Sequence, residues 1–362
     1  MKRRCFRRWF PVLFSALVVL PALRANADST NRGVWCWKSP GPYGLDFILG
    51  TNALQNAAVS EFKLWGISHV YGSYGDQLKN AAGQTNLAAW ITLLNNNGIE
   101  SQELISDTSF GSGDNNVLVE MINFNKSQPA AAQFKGVHLD IEPWGLSSWS
   151  TDNKYYDLTN LAGVYQTVRT ELNTNGLTNV LIYADLADWL DNIGTINWPS
   201  SAVRDAWYSG ILTNLAGITL MAYEQPTLAG IENVVSWEMS AHPGVVRVGI
   251  DAGVGETWAN LNSFDAVAEQ VEAAYGTSAG VDLYDFATVE GAVHGVLGTG
   301  AYPTNAFNMV LRGPVGSNYV VQTSTDLATW QTFTNFNSTS WLTYLKDVNW
   351  SNETARFYKL NH

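Results

Sequence analysis

Two acidic residues, Asp140 and Glu142, alternate with apolar residues in the segment GVHLDIE at positions 136–142. Such alternation is typical of a β-strand, in which successive side chains point to opposite faces, so the two carboxyl groups and His138 should share one face. Carboxyl groups on a buried face are costly to desolvate unless they are paired or used. We therefore interpret them as candidates for proton transfer or substrate binding. A structural pair satisfied by the backbone or by a lysine is the alternative.

Eight short apolar segments, of which GVHLDIE is the fourth, alternate with longer segments that have the helical spacing of apolar residues. The other seven are GVWCW (33–37), ISHVYG (67–72), IESQEL (99–104), VLIYAD (180–185), GITLMAY (217–223), VVRVGID (245–251) and VDLYDF (281–286). This order predicts an α/β fold with a parallel sheet, and eight repeats in about 250 residues predict a (β/α)8 TIM barrel. An open doubly wound sheet is disfavoured because no G-x-G-x-x-G loop follows the first segment.

The composition changes near residue 298. Residues 299–305 (TGAYPTN) have the composition of a linker, and residues 306–362 contain five short strand patterns without helical spacing. We therefore predict a barrel domain at 28–298, a linker at 299–305 and a small all-β, sandwich-like module at 306–362. The alternative is that the last segment extends the barrel domain.

The first 27 residues have the three parts of a signal peptide: a basic stretch, an apolar run and the small residues Ala25 and Ala27 before a cleavage site. The apolar run is short and contains two prolines, which disfavours a membrane anchor. These features predict an exported protein, secreted or held at the cell surface or in the periplasm, without membrane insertion. The net charge of −12 disfavours nucleic acid as a partner and is compatible with a neutral polymer. We expect a monomer.

The segment FKGVHLDIE (134–142) resembles the fourth-strand signature of family 18 glycoside hydrolases, the chitinases and endo-β-N-acetylglucosaminidases, which reads D-G-x-D-x-D-x-E. Asp140 matches the last aspartate and Glu142 matches the catalytic glutamate, whereas Lys135 and His138 replace the first two aspartates. The segment MAYE (221–224) is similar to the M-x-Y sequence of the same family, which an acid or amide follows. The resemblance implies the barrel fold and hydrolysis of a glycan.

The resemblance also implies a retaining mechanism in which the substrate assists, an exception to the rule of two carboxylates. Glu142 would protonate the leaving glycosidic oxygen, Asp140 would orient the 2-acetamido group of the substrate, and Tyr223 would donate a hydrogen bond to its carbonyl oxygen. No metal or organic cofactor is needed. Two interpretations of His138 remain open: a protonated ring that stabilises ionised Asp140, or a neutral ring that fills the barrel floor.

Further acidic residues occur near the ends of the predicted strands. They are Glu103, Asp107, Asp185, Asp188, Glu224, Asp251, Asp282 and Asp285. Glu224 and Asp251 are the best candidates among them for a nucleophile that would act with Glu142 in an ordinary retaining glycosidase. Several of the others are expected only to cap helices or to be solvated.

Aromatic residues at or just after predicted strand ends fit a sugar ligand, because sugar rings have apolar faces and hydroxylated rims. Tyr284 occupies the place of the tryptophan that forms the floor of the central subsite in family 18. We assign substrate binding to seven residues: Trp37, Tyr71, His138, Trp144, Glu224, Asp251 and Tyr284. Plain core packing is the alternative for the aromatic members.

The sequence therefore predicts an exported glycoside hydrolase whose partner is a polysaccharide or glycan that contains β-linked N-acetylhexosamine. A retaining glycosidase for a polymer without acetamido groups is the second hypothesis, and a carbohydrate-binding barrel without catalysis is the third. Residues 319–330 and 356–360 are similar to a short β-sandwich at the carboxyl end of many exported bacterial proteins. That similarity indicates where the protein is located more than which reaction it catalyses.

Overall fold

A computed structural model describes residues 31–40, 43–150, 154–225, 227–251, 261–275, 280–287, 289, 296–299, 307–312, 318–337, 342–349 and 355–361. The predicted signal peptide (1–27) lies outside these residues, as does the predicted linker except for Thr299.

Eight parallel strands close into a barrel in which each strand pairs with the next and β8 pairs with β1. The strands are β1 (Arg32–Cys36), β2 (Ile67–Gly72), β3 (Glu100–Asp107), β4 (Gly136–Ile141), β5 (Leu181–Ala187), β6 (Gly217–Met221), β7 (Val246–Asp251) and β8 (Val281–Tyr284). The predicted TIM barrel is therefore confirmed, and all eight predicted segments contain a strand.

Helices follow the strands and cover the barrel. They are α1 (Leu45–Ile48), α2 (Asn52–Leu64), α3 (Gly75–Leu78), α4 (Ala81–Asn96), α5 (Ser112–Ser127), α6 (Lys154–Thr174), α7 (Ile193–Ile196), α8 (Ser201–Ile211), α9 (Leu228–Ala241) and α10 (Leu261–Tyr275), with single 3-10 turns at Ala130–Ala132 and Pro143–Gly145. Several begin at a residue whose side chain accepts a hydrogen bond from the first helical turn, as Thr51, Asn80 and Ser200 do. Such caps stabilise a helix start by about 1 kcal/mol each.

The two faces of the strands differ in chemistry. On the outer face, aliphatic side chains such as Val137 and Leu139 are fully buried against the helices. On the inner face the barrel holds an ion pair between Arg247 and Asp282, to which the Tyr71 hydroxyl also donates a hydrogen bond of 2.8 Å. A Cβ atom at Gly33 would collide with the Tyr71 hydroxyl and with Asp282 Oδ1, so this polar group requires glycine at that position.

The C-terminal strands form two antiparallel sheets of three strands each, in the orders β13-β10-β9 and β12-β11-β14. The strands are β9 (Val296–Thr299), β10 (Phe307–Arg312), β11 (Asn318–Ser324), β12 (Gln331–Asn337), β13 (Leu342–Asp347) and β14 (Phe357–Asn361). The sheets contact each other where the rings of Phe307 and Tyr358 stack with centroids 5.0 Å apart. This small β module agrees with the predicted fold class.

One strand differs from the predicted segmentation. Residues 296–299 pair with β10 as β9, although the sequence boundary at 298 assigns most of them to the barrel. The segment is only four residues long and contains Gly298, so its local pattern carries no recognisable strand period. In the described part of the chain, every helix is too short or too polar to cross a bilayer.

Candidate active site

Asp140 and Glu142 lie at the carboxyl end of β4, at the mouth of the barrel. Asp140 is the fifth residue of the strand and is 7% exposed inside the barrel, where the Ser106 hydroxyl of β3 donates a hydrogen bond of 3.0 Å to its Oδ2 atom. Glu142 follows the strand directly, is half-buried, and is fixed through its backbone N–H, which donates to the carbonyl oxygen of Asp107 at 2.8 Å. The alternation read from the sequence thus puts Asp140 on the inner face.

The surroundings of Asp140 favour its protonated form. Burial is the largest cause that raises the pKa of this carboxyl, and the neighbouring carboxyl groups of Asp185 and Glu142 raise it further. The hydrogen bond from Ser106 acts in the opposite direction. Asp140 Oδ1 is buried and makes no hydrogen bond to any described residue. An atom of this kind is available to a ligand that supplies a donor.

His138 lies one layer deeper and is fully buried. Its Nε2 atom is 2.8 Å from Asp185 Oδ1, its Nδ1 atom is 3.1 Å from Gln102 Oε1, and its ring stacks on Tyr71 with centroids 3.8 Å apart. Burial lowers the pKa of His138 to about 4, which favours a neutral ring at pH 7. Burial therefore favours the neutral interpretation of His138 over the protonated one.

Two residues assigned to substrate binding do not reach the mouth. Both ring nitrogens of His138 face protein oxygens, and Tyr71 is 1% exposed with its hydroxyl bonded to Asp282. The assignment of these two residues to substrate contact is therefore corrected to a position in the barrel floor. Strand alternation identifies the inward face correctly, but it does not give the depth of a residue along the barrel axis.

Four aromatic rings contact one another next to this floor. The ring centroid of Trp35 is 5.7 Å from that of Tyr284 and 6.2 Å from that of Tyr223. The ring centroids of Trp37 and Tyr284 are 6.2 Å apart. The Tyr223 and Tyr284 rings are 4.8 Å apart. Trp37 Nε1 is buried without a partner among the described residues, so it is a second polar atom that a ligand could satisfy.

Carboxylates lie close to both tyrosines. Burial is the main cause that raises the pKa of Tyr223, and the charges of Asp185 and Asp140 add to it. Burial together with Asp285 and Asp140 raises the pKa of Tyr284 to about 12. Both hydroxyls are therefore protonated near pH 7 and can serve as hydrogen-bond donors.

Trp144 lies two residues after Glu142, in a group of three tryptophans. Its ring centroid is 5.6 Å from that of Trp189 and 6.4 Å from that of Trp149, and all three rings are half-buried. The edge-to-face contacts show that much of the Trp144 surface packs against protein.

The other acidic residues fall into different environments. Glu224 is exposed, and Asp251 is the last residue of β7, buried and in register with Tyr284. Glu103 and Asp282 lie within their strands rather than at the ends, and neither faces the mouth. Glu103 is buried between β3 and the helices, and Asp282 is paired with Arg247 in the floor. The predicted third segment ends at 104, three residues before the end of β3, which explains the error for Glu103. Asp282 is the second residue of β8, near its amino end rather than its carboxyl end.

Asp185 is the residue whose role the sequence did not reveal. It lies in the middle of β5, is 1% exposed, and accepts a hydrogen bond of 3.2 Å from the indole N–H of Trp35 in addition to its contact with His138. The alternation in LIYADLA places it on the same face as Tyr183. Its partners lie on other strands, so a local pattern contains no sign of them.

The described residues include no group of three or more His, Cys, Asp or Glu side chains arranged to hold a metal ion. A surface cavity of about 330 Å³ lies among α1, α3 and α4, and none of the candidate site residues lines it.

No protein-family model matches the chain, and no curated protein matches it. Among solved structures, it is similar to the spore cortex-lytic enzyme SleL of Bacillus megaterium QM B1551, with 11% identity over 71% of this chain and 70% of that chain and a TM-score of 0.44. It is also similar to the GH18 chitinase ChiB from the chitin utilization locus of Flavobacterium johnsoniae, with 12% identity, coverage of 72% and 89%, and a TM-score of 0.42. A third similar structure is β-glucuronidase 2 of Bacteroides uniformis, with 9% identity, coverage of 87% and 42%, and a TM-score of 0.45. These identities are too low to carry a residue's role from one chain to another.

Proposed function

We propose that this chain is a glycoside hydrolase that cleaves a polysaccharide or glycan containing β-linked N-acetylhexosamine, with Glu142 as the general acid. The observation that carries the proposal is the pair of carboxyl groups at the end of β4, one buried inside the barrel and one half-buried at its mouth. Two carboxyl groups in such unequal environments can hold different protonation states, which acid catalysis of glycoside cleavage needs.

Glu142 suits the role of proton donor because it is the more accessible of the two groups. It would protonate the glycosidic oxygen as the bond to the anomeric carbon breaks, and it would later accept a proton from the attacking water. The charge of Glu142 raises the pKa of Asp140, so the two carboxyls interact within the site. Their interaction allows one proton to be retained by the pair near neutral pH.

Asp140 and Tyr223 suit the two ends of an acetamido group. The unpaired Asp140 Oδ1 atom can accept the amide N–H, and the protonated Tyr223 hydroxyl can donate to the carbonyl oxygen as that oxygen attacks the anomeric carbon. The unpaired indole N–H of Trp37 can donate to a sugar hydroxyl. A substrate with these groups would satisfy buried polar atoms that are otherwise costly to leave unpaired.

The test is hydrolysis of a glycan panel with and without N-acetyl groups, using the wild-type chain, E142Q and D107N. We expect release of reducing ends from N-acetylated substrates, a loss of at least about 10³-fold in kcat for E142Q, and retained binding of oligosaccharide by that variant. D107N is the matched control, because Asp107 is exposed at the end of the neighbouring strand. Turnover by E142Q at the wild-type rate would reject Glu142 as the acid.

A second candidate function keeps Glu142 but uses Asp251 as a nucleophile on a polymer without acetamido groups. It is favoured by one observation, the burial of Asp251 at the carboxyl end of β7 beside Tyr284. Mechanism-based labelling with a 2-fluoro glycoside separates the two routes, because only a carboxylate nucleophile forms a stable sugar ester. Mass spectrometry would locate the ester on Asp251, or on exposed Glu224. Binding of oligosaccharide without any hydrolysis would instead favour a carbohydrate-binding barrel.

We also propose that the enzyme acts outside the cytoplasm. This proposal rests on the basic and apolar pattern of residues 1–27 alone. Expression of the full chain in a secreting bacterial host, followed by sequencing of the exported amino terminus, tests it. The expected amino terminus is Asp28, and a chain that keeps its first residues inside the cell would contradict the proposal.

A further inference from the structure

A chain of hydrogen bonds crosses the barrel floor directly beneath Asp140. It runs from the Trp35 indole to Asp185, from Asp185 to His138 Nε2, and from His138 Nδ1 to Gln102 Oε1, with lengths of 3.2, 2.8 and 3.1 Å. Asp185 and His138 are 1% and 0% exposed, so both groups are shielded from bulk solvent. The positions of the hydrogens can therefore be inferred from the protein groups that contact one another.

The two ends of this chain fix the direction of its hydrogens. Gln102 presents a carbonyl oxygen to His138 Nδ1, and an oxygen can only accept, so Nδ1 carries a hydrogen. The Trp35 indole can only donate, so Asp185 Oδ2 is an acceptor. One hydrogen is then left to decide, between His138 Nε2 and Asp185 Oδ1.

Burial decides the place of that hydrogen. If it sat on Nε2, the ring would be an imidazolium next to a carboxylate, and both charges would have to be removed from water. If it sits on Asp185 Oδ1, both groups are neutral and the hydrogen bond is kept. Burial raises the pKa of Asp185 and lowers that of His138, and both changes favour the neutral pair.

We propose that Asp185 is a protonated positioning residue, which donates its hydrogen to His138 Nε2 and so keeps the barrel floor beneath Asp140 free of net charge. The part of the proposal that concerns protonation stands on the geometry of the floor. The part that concerns Asp140 rests on the proposed function, since it assigns a consequence for the reaction.

Groups on seven of the eight strands contact the His138 imidazole or act on its charge. The groups that face it or act on it are Trp35 on β1, His69 and Tyr71 on β2, Gln102 on β3, Asp140 on β4, Tyr183 and Asp185 on β5, Arg247 on β7 and Asp282 on β8. Arg247 and Asp282 form an ion pair and largely cancel each other's charge. With Asp185 neutral, Asp140 is the buried carboxyl of this group that is left to ionise when substrate binds. An ionised Asp185 would instead repel that charge.

Spectroscopy on the whole protein tests the protonation without any substrate. We expect 15N shifts of a neutral His138 ring with its hydrogen on Nδ1, assigned by comparison with H138Q, and constant from about pH 5 to pH 8. We also expect a carbonyl stretching band of a protonated carboxyl in the infrared difference between wild type and D185N. An imidazolium signal would overturn the proposal, and so would a hydrogen on Nε2 or the absence of the carboxyl band.

Kinetics test the consequence for Asp140, using D185N and D185L on whichever glycan the wild type cleaves. We expect D185L to lower kcat at least about tenfold, with a smaller change in KM. An asparagine amide can donate to Nε2 and accept from Trp35, so D185N should keep most of the activity that D185L loses. The acidic limb of the kcat/KM profile of D185N should stay within about 0.3 pH unit of wild type.

A shift of that limb by about one unit or more toward low pH would show that Asp185 is charged in the wild type, and would overturn the proposal. Equal losses in D185N and D185L would overturn the positioning role. If the wild type cleaves no glycan, the proposed function fails, whereas the spectroscopic result still decides the protonation of Asp185.

Discussion

Replacing Arg247 with methionine should strongly destabilise the barrel at neutral pH. Arg247 contacts Asp282 through Nε at 2.9 and 3.0 Å and through a second nitrogen at 2.6 Å, and Asp282 is fully buried. Without the guanidinium, a carboxylate would remain in the barrel, and the side-chain donors left to it among the described residues are the hydroxyls of Tyr71 and Thr219. Removing one partner of a buried ion pair costs about 3–5 kcal/mol. Because two hydroxyl donors would still bind the Asp282 carboxylate, we expect R247M to lower the free energy of unfolding by about 3 kcal/mol, near the lower end of this range.

The loss should depend on pH in a defined direction. In the wild type the pKa of Asp282 is lowered by Arg247 against the opposing effect of burial, so its contribution to stability is present above about pH 4 and is lost as the pH falls below that value. In R247M burial acts without the arginine, and the folded pKa of Asp282 rises above the unfolded one. The variant then gains stability as the pH falls. The difference between wild type and R247M should therefore shrink from pH 7 to pH 4.

Urea unfolding at several pH values, followed by tryptophan fluorescence, measures both effects. K79M is a control, because Lys79 forms an exposed pair with Asp76 and should change stability by less than about 1 kcal/mol. The double variant R247M/D282N leaves no unpaired charge and should recover much of the loss. A cost below about 1 kcal/mol for R247M at pH 7, or one that does not change with pH, would refute the reasoning.

Four further changes test other parts of the structure. In steady-state assays, Y223F should lower kcat about 10²-fold with little change in KM, because it removes a donor needed in the transition state. W37F should raise KM about fivefold, because it removes an unpaired indole donor. Burial raises the pKa of Glu238 to about 8, above its unfolded value, so stability should decline between about pH 4 and pH 8 and E238Q should flatten that decline in thermal melts. G33A should cost about 1–3 kcal/mol, measured by urea unfolding, because its methyl group overlaps the polar floor; an unaffected variant would show that the floor can relax.

Local patterns were sufficient to predict the architecture. The segment ISHVYG coincides with β2 at 67–72, and the alternation in GVHLDIE places Asp140 on the inner face of β4. Both predictions depend only on the period of the side chains along one strand, which the sequence contains directly. The closed eight-strand barrel followed from counting such segments.

The partners across the barrel could not be predicted in the same way. Asp185 and His138 are 47 positions apart and Arg32 and Glu272 are 240 apart, and nothing in either local sequence selects the other residue. Which acid lies in the floor and which lies at the mouth depends on the stagger between strands. Asp282 and Asp251 were both predicted near strand ends, but Asp282 is in register with Gly249, two residues deeper along the barrel than Asp251. The stagger is set by packing of the whole barrel. The roles of Glu142, Asp140 and Tyr223 stay predictions until the variants are measured.

The connection between the two ends of the barrel has a consequence for biogenesis. Arg247 donates to the side chain and carbonyl oxygen of Asn31 just before β1, and its carboxylate partner Asp282 lies in β8, the last barrel strand to be synthesised. A nascent chain that stops after seven strands would hold a guanidinium without its counter-ion beside an open seam. We therefore expect such a truncated chain to stay non-native and sensitive to protease until β8 emerges. Closure of the barrel would therefore wait until its last strand has been synthesised.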